Sequence, residues 1–175
     1  MMLLTGMTRL LTAITSLVVV QAASLTRVNN FGSNPANVKM YIYVPDNVRS
    51  NPDVVVAIHH CQGTAQSYFS STPYANLANQ HGYIVIYPES PYSGTCWDVS
   101  SPATLKYEGG GDSNSIANMV KYTLRQYKAN PSRVFVVGGS SGAMMTVSHV
   151  SFSSISNGPS HTDFRRIECY GCNIP

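Results

Sequence analysis

The chain has 175 residues, 43% of them hydrophobic and only 11% charged, which is one domain's worth of sequence and apolar enough for a core. The formal net charge of +3 is small and scattered, with no Lys/Arg run, which excludes a nucleic-acid surface; internal repeats and low-complexity tracts are absent. Eleven tyrosines, many Ser, Asn and Gly and few Lys and Glu resemble a secreted protein that meets a polar, uncharged partner such as carbohydrate.

The chain opens with MMLLTGMTRLLTAITSLVVVQAAS. One positive charge at Arg9, an apolar run from Leu10 to Val20 and small residues around Ala22 make the three regions of a secretory signal. The run is shorter than the roughly 20 apolar residues that span a bilayer, and no later segment could span one. Residues 1–22 are therefore expected to be a signal peptide, and the protein to be extracellular with no membrane partner. Secretion allows disulfides. Of the four cysteines, Cys61 and Cys96 fall in the domain, and Cys169 and Cys172 form CYGC near the end. No second ligand pair and no thioredoxin-like context support a redox or metal half-site there.

Residues 37–44 (NVKMYIYV) alternate like a half-buried strand and stop at Pro45. Residues 53–59 (DVVVAIH), 83–88 (YIVIYP) and 133–138 (RVFVVG) are continuous apolar runs, the mark of strands buried on both faces. Residues 67–82 predict a helix with Gly82 at its left-handed cap, and Pro73 either interrupts it or sits in a first turn. Residues 112–131 predict a second helix, capped by Asp112 or Ser113, with Ile116, Met119, Val120, Thr123, Leu124 and Tyr127 on one stripe. Strands alternating with helices imply crossover units and a parallel sheet covered on both faces, so the fold class is α/β. Ligands in such sheets bind at the carboxyl ends of strands, here the loops after Ile58, Tyr87 and Val137.

The loop after Val137 reads GGSSG and matches G-x-S-x-G with Ser140 at its centre. A catalytic serine must stand on a tight, strained turn between strand and helix, and Gly138 and Gly142 remove the side chains that would collide there. The turn follows a buried strand and opens a helical start, AMM, which is the context the motif requires. Ser141 is the competing nucleophile but lacks the symmetric glycines, and its amide is the expected first oxyanion donor. The second is expected from the loop HHCQGT, with the Cys61 amide as candidate. His59 and His60 read as structural or wall residues, and as adjacent residues on extended backbone they point apart, which gives a metal role no support.

Three segments, HHCQGTAQSYF, YIVIYPESPYSGTCWDVSS and VFVVGGSSGAMM, in this order and spacing, resemble the secreted fungal acetylxylan esterases, whose family also holds feruloyl esterases and polyhydroxybutyrate-depolymerase-like enzymes. The likeness covers roughly residues 24–146. It implies an α/β-hydrolase with a Ser–His–Asp triad in which Ser140 is the nucleophile and the Cys61 and Ser141 amides form the oxyanion hole. It implies a disulfide between Cys61 and Cys96, and places Trp97 near the cleft, either as a wall against sugar or as a core aromatic. The implied reaction is deacetylation of xylan with no metal or cofactor, on acetylated xylan or a related plant polysaccharide, by a monomer. A feruloyl or polyester-type esterase and a non-catalytic carbohydrate-binding pseudoenzyme are the alternatives.

The likeness breaks after Thr146. In the family the acid and the histidine follow the serine, but residues 147–175 offer only His149, His161, Asp163 and Glu168, with His161 before Asp163 in reversed order. Each reads as a tail residue, and residues 147–175 are expected to be a disordered, non-family tail to a partial domain, residues 23–146, that lacks the C-terminal strands. The Val147–Ser148 pair can be encoded by GT, a purine and AGT, the usual start of an intron. Genomic DNA is expected to carry that sequence at codons 147 and 148; any other sequence there removes the intron explanation.

Overall fold

The structure, a computed structural model, describes residues 23–153 and 164–170. The elements in chain order are β1 (Thr26–Val28), β2 (Lys39–Tyr43), β3 (Val54–Ile58), α1 (Ala65–Ser71), α2 (Tyr74–His81), β4 (Ile84–Glu89), α3 (Pro102–Leu105), α4 (Asp112–Tyr127), β5 (Val134–Gly139), α5 (Ser141–Ser153) and β6 (Phe164–Tyr170). They build one six-stranded sheet in the order β1-β2-β4-β3-β5-β6. Strands β4, β3, β5 and β6 pair in parallel, while β1 and β2 join antiparallel at one edge. The predicted sheet is thus parallel across β4, β3, β5 and β6, where helices cross over, and antiparallel at the edge formed by β1 and β2.

The three apolar runs sit in the middle of the sheet because both of their faces are covered. On β3, Val54, Val56 and Ile58 face one layer and Ala57 the other, as the two-residue period of a strand requires. The first layer is closed by Ile116, Met119 and Val120 of α4 and Met145 of α5. The second is closed by Ala65 and Tyr68 of α1 and Ala75 and Ala78 of α2. The stripe predicted for α4 is the one that packs, with Leu124 and Tyr127 at its half-buried margin.

Pro73 splits the predicted helix over 67–82 in two. Thr72, held extended by the proline that follows it (φ −115°, ψ 155°), ends α1, and Pro73 caps α2. Gly82 takes the left-handed cap (φ +70°). At the start of α4 the cap is Gly111, not Asp112 or Ser113. Both side chains are engaged elsewhere: Asp112 accepts from the Tyr92 hydroxyl and the Asp98 amide, and the Ser113 hydroxyl donates to the Thr104 carbonyl.

Two strands escaped the sequence pattern. β1 is three residues long, too short to show a period. β6, FRRIECY, lies in the segment read as a tail; α5 also runs past Val147 to Ser153. Arg165, Arg166 and Glu168 break any apolar alternation, and the pairing comes from the edge that β5 offers, with Val137 opposite Glu168 and Gly138 opposite Cys169. Asp163, His161 and Cys172 lie outside the described residues, as do residues 1–22.

Ile86, fully buried on β4 at the centre of the sheet, tests this packing. Ile86→Ala is expected to lower the unfolding free energy by about 2–5 kcal/mol, read as a fall in the urea midpoint with little change in slope.

Candidate active site

β5 ends at Gly139 and α5 begins at Ser141, so one residue, Ser140, makes the reversal from strand to helix. Its φ is +51°, in the left-handed region that costs a residue with a β-carbon about 1–2 kcal/mol. The flanking glycines are required by contact. A β-carbon on Gly138 would stand 2.5 Å from the carbonyl carbon of Gly142, and one on Gly142 would stand 2.3 Å from Ile58 O and 2.5 Å from His59 O. The second contact reaches across to β3 and sets the start of α5 against the loop that follows that strand.

The two serines of the motif divide. Ser140 is exposed, whereas Ser141 is 7% exposed and its hydroxyl donates to Cys61 Sγ at 3.3 Å. Ser141 opens α5, so its N–H lies in the first turn, where no earlier carbonyl of the helix can receive it. The Cys61 N–H likewise has no acceptor among the described residues.

The loop from His59 to Thr64 has no regular structure and is held from several sides. Cys61 is disulfide-bonded to Cys96. The Gln62 amide donates to Gly94 O (2.7 Å), the Thr95 hydroxyl to Gly63 O (2.8 Å) and the Trp97 indole N–H to His59 O (2.8 Å). The loop's far end enters α1 through a capping box between Thr64 and Ser67. Glu89, at the end of β4, accepts the Ala65 amide on one carboxylate oxygen (3.0 Å) and the Lys39 ammonium on the other (2.8 Å). Burial pushes the Glu89 carboxyl up, but Lys39 and the Ala65 amide outweigh it and hold the group below its ordinary value.

His59 is fully buried. Its Nδ1–H donates to His60 O (2.7 Å) and its Nε2 accepts the Ser90 amide (3.2 Å), an arrangement that needs the neutral ring. Burial lowers its pKa in the same sense. Trp97 lies beneath it, ring centroids 5.0 Å apart, and is 4% exposed within the core. Of the two roles left open for Trp97, the structure places it as the core aromatic that props the His59 carbonyl, and not as an open wall of the cleft. His60 is exposed and edge-on to Tyr68, whose hydroxyl burial pushes up to about 12 and which lies against Gly139.

Sequence reasoning found Ser140, Ser141 and the Cys61 loop, and the structure brings them together at the ends of β3 and β5. It missed Glu89, Asp98 and Asp112. The Asp98 carboxylate gathers the Ser100 and Ser101 amides and the Ser101 and Thr104 hydroxyls, and so fixes the loop that carries Cys96. The available signal for Glu89 was its position just after a buried strand, where sites in such sheets form. None of His59, His60 and His81 is hydrogen-bonded to Ser140, and among the described residues no group of His, Cys, Asp or Glu is placed to hold a metal ion. His149 falls on α5 and Glu168 on β6.

Residues 38–158 match the family model described as esterase PHB depolymerase. Acetylxylan esterase A of Aspergillus oryzae is 68% identical over 126 residues, 72% of this chain and 41% of that protein. Acetylxylan esterase A of Talaromyces purpureogenus is 65% identical over 127 residues, 73% of this chain and 33% of that protein. Among solved structures, the acetyl xylan esterase from Aspergillus awamori matches with a TM-score of 0.73 at 61% identity, over 74% of this chain and 47% of that one. The poly(3-hydroxybutyrate) depolymerase LpqC from Bordetella parapertussis matches at 0.59 and 14% identity, over 82% of this chain and 50% of that one, a likeness of fold. The chain spans between a third and two fifths of the length of these two curated relatives.

Two outcomes test the geometry. Ser140→Gly is expected to raise stability by about 1 kcal/mol, because it relieves the left-handed backbone, and Gly142→Ala to lower it by about 1–3 kcal/mol or more; urea midpoints of the two variants read both. Glu89 has a depressed folded pKa, so its contribution is present above the unfolded value and is lost as pH falls through the folded one. Between about pH 6 and pH 3, stability is expected to fall less steeply in Glu89→Gln than in the unaltered chain.

Proposed function

The chain belongs to the esterase PHB depolymerase family, and from that premise we propose that it carries the nucleophile of a secreted carboxylic ester hydrolase that removes acetyl groups from xylan. The observation that carries the reading is Ser140, exposed at φ +51° between two glycines that admit no β-carbon. A fold kept only for binding has no use for that strain. The choice of an acetylated xylan rests on the names of relatives at 65–68% identity. Secretion rests on the Arg9-to-Ala22 pattern and accords with the Cys61–Cys96 disulfide.

In this reading Ser140 Oγ attacks the acetyl carbonyl as a histidine takes its proton. The Cys61 and Ser141 N–H groups receive the negative charge that develops on the carbonyl oxygen, aided by the N-terminus of α5. The sugar oxygen leaves, protonated by the histidine. Water then attacks the acyl-enzyme, acetate departs and Ser140 recovers its proton. No metal or cofactor enters this sequence. The histidine and its acid are assigned to the part of the family's length that the chain does not span, and none of His149, His161, Asp163 and Glu168 is given either role.

The test joins residues 1–146 to the remaining segment of the Aspergillus oryzae relative. The chimera is expected to release acetate from acetylated xylan, and Ser140→Ala in it to reduce kcat by about a millionfold. The 175-residue chain alone is expected to hydrolyse phenyl acetate no faster than its own Ser140→Ala variant. Undiminished turnover in the chimera's Ser140→Ala variant would overturn the assignment of the nucleophile.

A further inference from the structure

We propose that the groove between β1 and the C-terminal half of α4, at the antiparallel edge of the sheet, binds a neutral oligosaccharide. The placement follows from topology. Val44 and Asp46, which line the groove, follow the last residue of β2, Tyr43, and Tyr43 pairs with Val85 at the start of β4. Because β4 and β5 both run parallel to β3, Val44 and Asp46 lie at the end of the sheet farthest from the turn after β5, whereas Val28, opposite Met40 and so level with Pro88, lies toward the other end, and the groove runs along the sheet's edge. β1 is the edge of the sheet opposite β6.

The lining has the two parts that a sugar ring asks for. Its floor includes Val44, Tyr122 and Tyr127, half-buried against the core, and the cavity above it holds about 620 Å³. That volume is within the usual range for small-ligand sites, roughly 300–1,000 Å³. Its rim carries Arg27, Asn30 and Asp46, all exposed, whose side chains make no hydrogen bond or ion pair among the described residues. Tyrosine rings and aliphatic groups suit the C–H faces of a sugar. Arginine and the asparagine amide donate, while aspartate and the asparagine carbonyl accept, which matches hydroxyls that do both. One cation and one anion on the rim leave no net charge to favour a uronate or a phosphate.

For a polymer-degrading enzyme, a second grip on the same polysaccharide raises the effective concentration of esters at the serine. That benefit, and the choice of a xylan oligomer as probe, rest on the proposed function; the groove does not. The experiment titrates the full chain with xylohexaose, cellohexaose and an oligogalacturonate, followed by amide NMR. Saturable shifts at residues 26–30, 46 and 122–127 with the neutral sugars are expected, and Asn30→Ala and Asp46→Ala, both at exposed positions, are each expected to weaken binding about fivefold. Binding of cellohexaose without xylohexaose would support the groove while removing the xylan reading. Absence of saturable shifts, shifts confined to residues 59–68, equal binding of oligogalacturonate, or affinity unchanged in both variants would overturn the proposal.

Discussion

The approach of α5 to the carboxyl end of β3 leaves no space for a β-carbon at Gly142, and the surroundings of Ser140 depend on that contact. β3 and β5 are adjacent and in register, Ile58 opposite Gly138, so the turn after β5 and the loop after β3 begin at the same level of the sheet. A serine lifted into a left-handed conformation by a one-residue reversal then stands beside the amides of that loop. Because the contact is backbone against backbone, it cannot be relieved by a side-chain rotation. The register of two central strands is thereby converted into the position of a hydroxyl.

The loop opposite the serine has no ladder or helix of its own to hold it, and the protein supplies substitutes of different kinds. A disulfide, three hydrogen bonds with residues 94–97 and a buried neutral imidazole fix one side. Glu89 and the capping box fix the other. Trp97 connects these ties to the apolar core, so packing several residues away bears on where the Cys61 amide lies. Asp98 and Asp112 then brace the segment that holds Cys96. Burial raises the pKa of Asp112, whereas at Asp98 burial is outweighed by four hydrogen bonds and the group is held low.

What could be read in the sequence was whatever depends on local pattern. Continuous runs such as YIVIYP marked strands buried on both faces, the stripe from Ile116 to Tyr127 marked the packed side of α4, and G-x-S-x-G after a buried strand marked the turn. What could not be read depends on partners distant along the chain. β6 has too many charges to announce itself and owes its pairing to β5. Asp112 looks like a helix cap, but Tyr92 and Asp98 claim its carboxylate. Trp97 stood equally between cleft and core, because nothing local says that its indole N–H will meet His59 O. Glu89 shows the same limit, since its two partners lie 24 and 50 residues away.

The bond between Cys61 and Cys96 closes a covalent ring that encloses α1, α2 and β4, an entire crossover. Closing a loop of 35 residues removes about 3–4 kcal/mol of chain entropy from the unfolded state. The ring also changes what a protease can accomplish. Residues 91–94 are exposed inside it, and a cut there leaves both new ends tethered in one molecule, with the Cys61 loop still fastened to its brace. A single nick between residues 91 and 94 would not release either half.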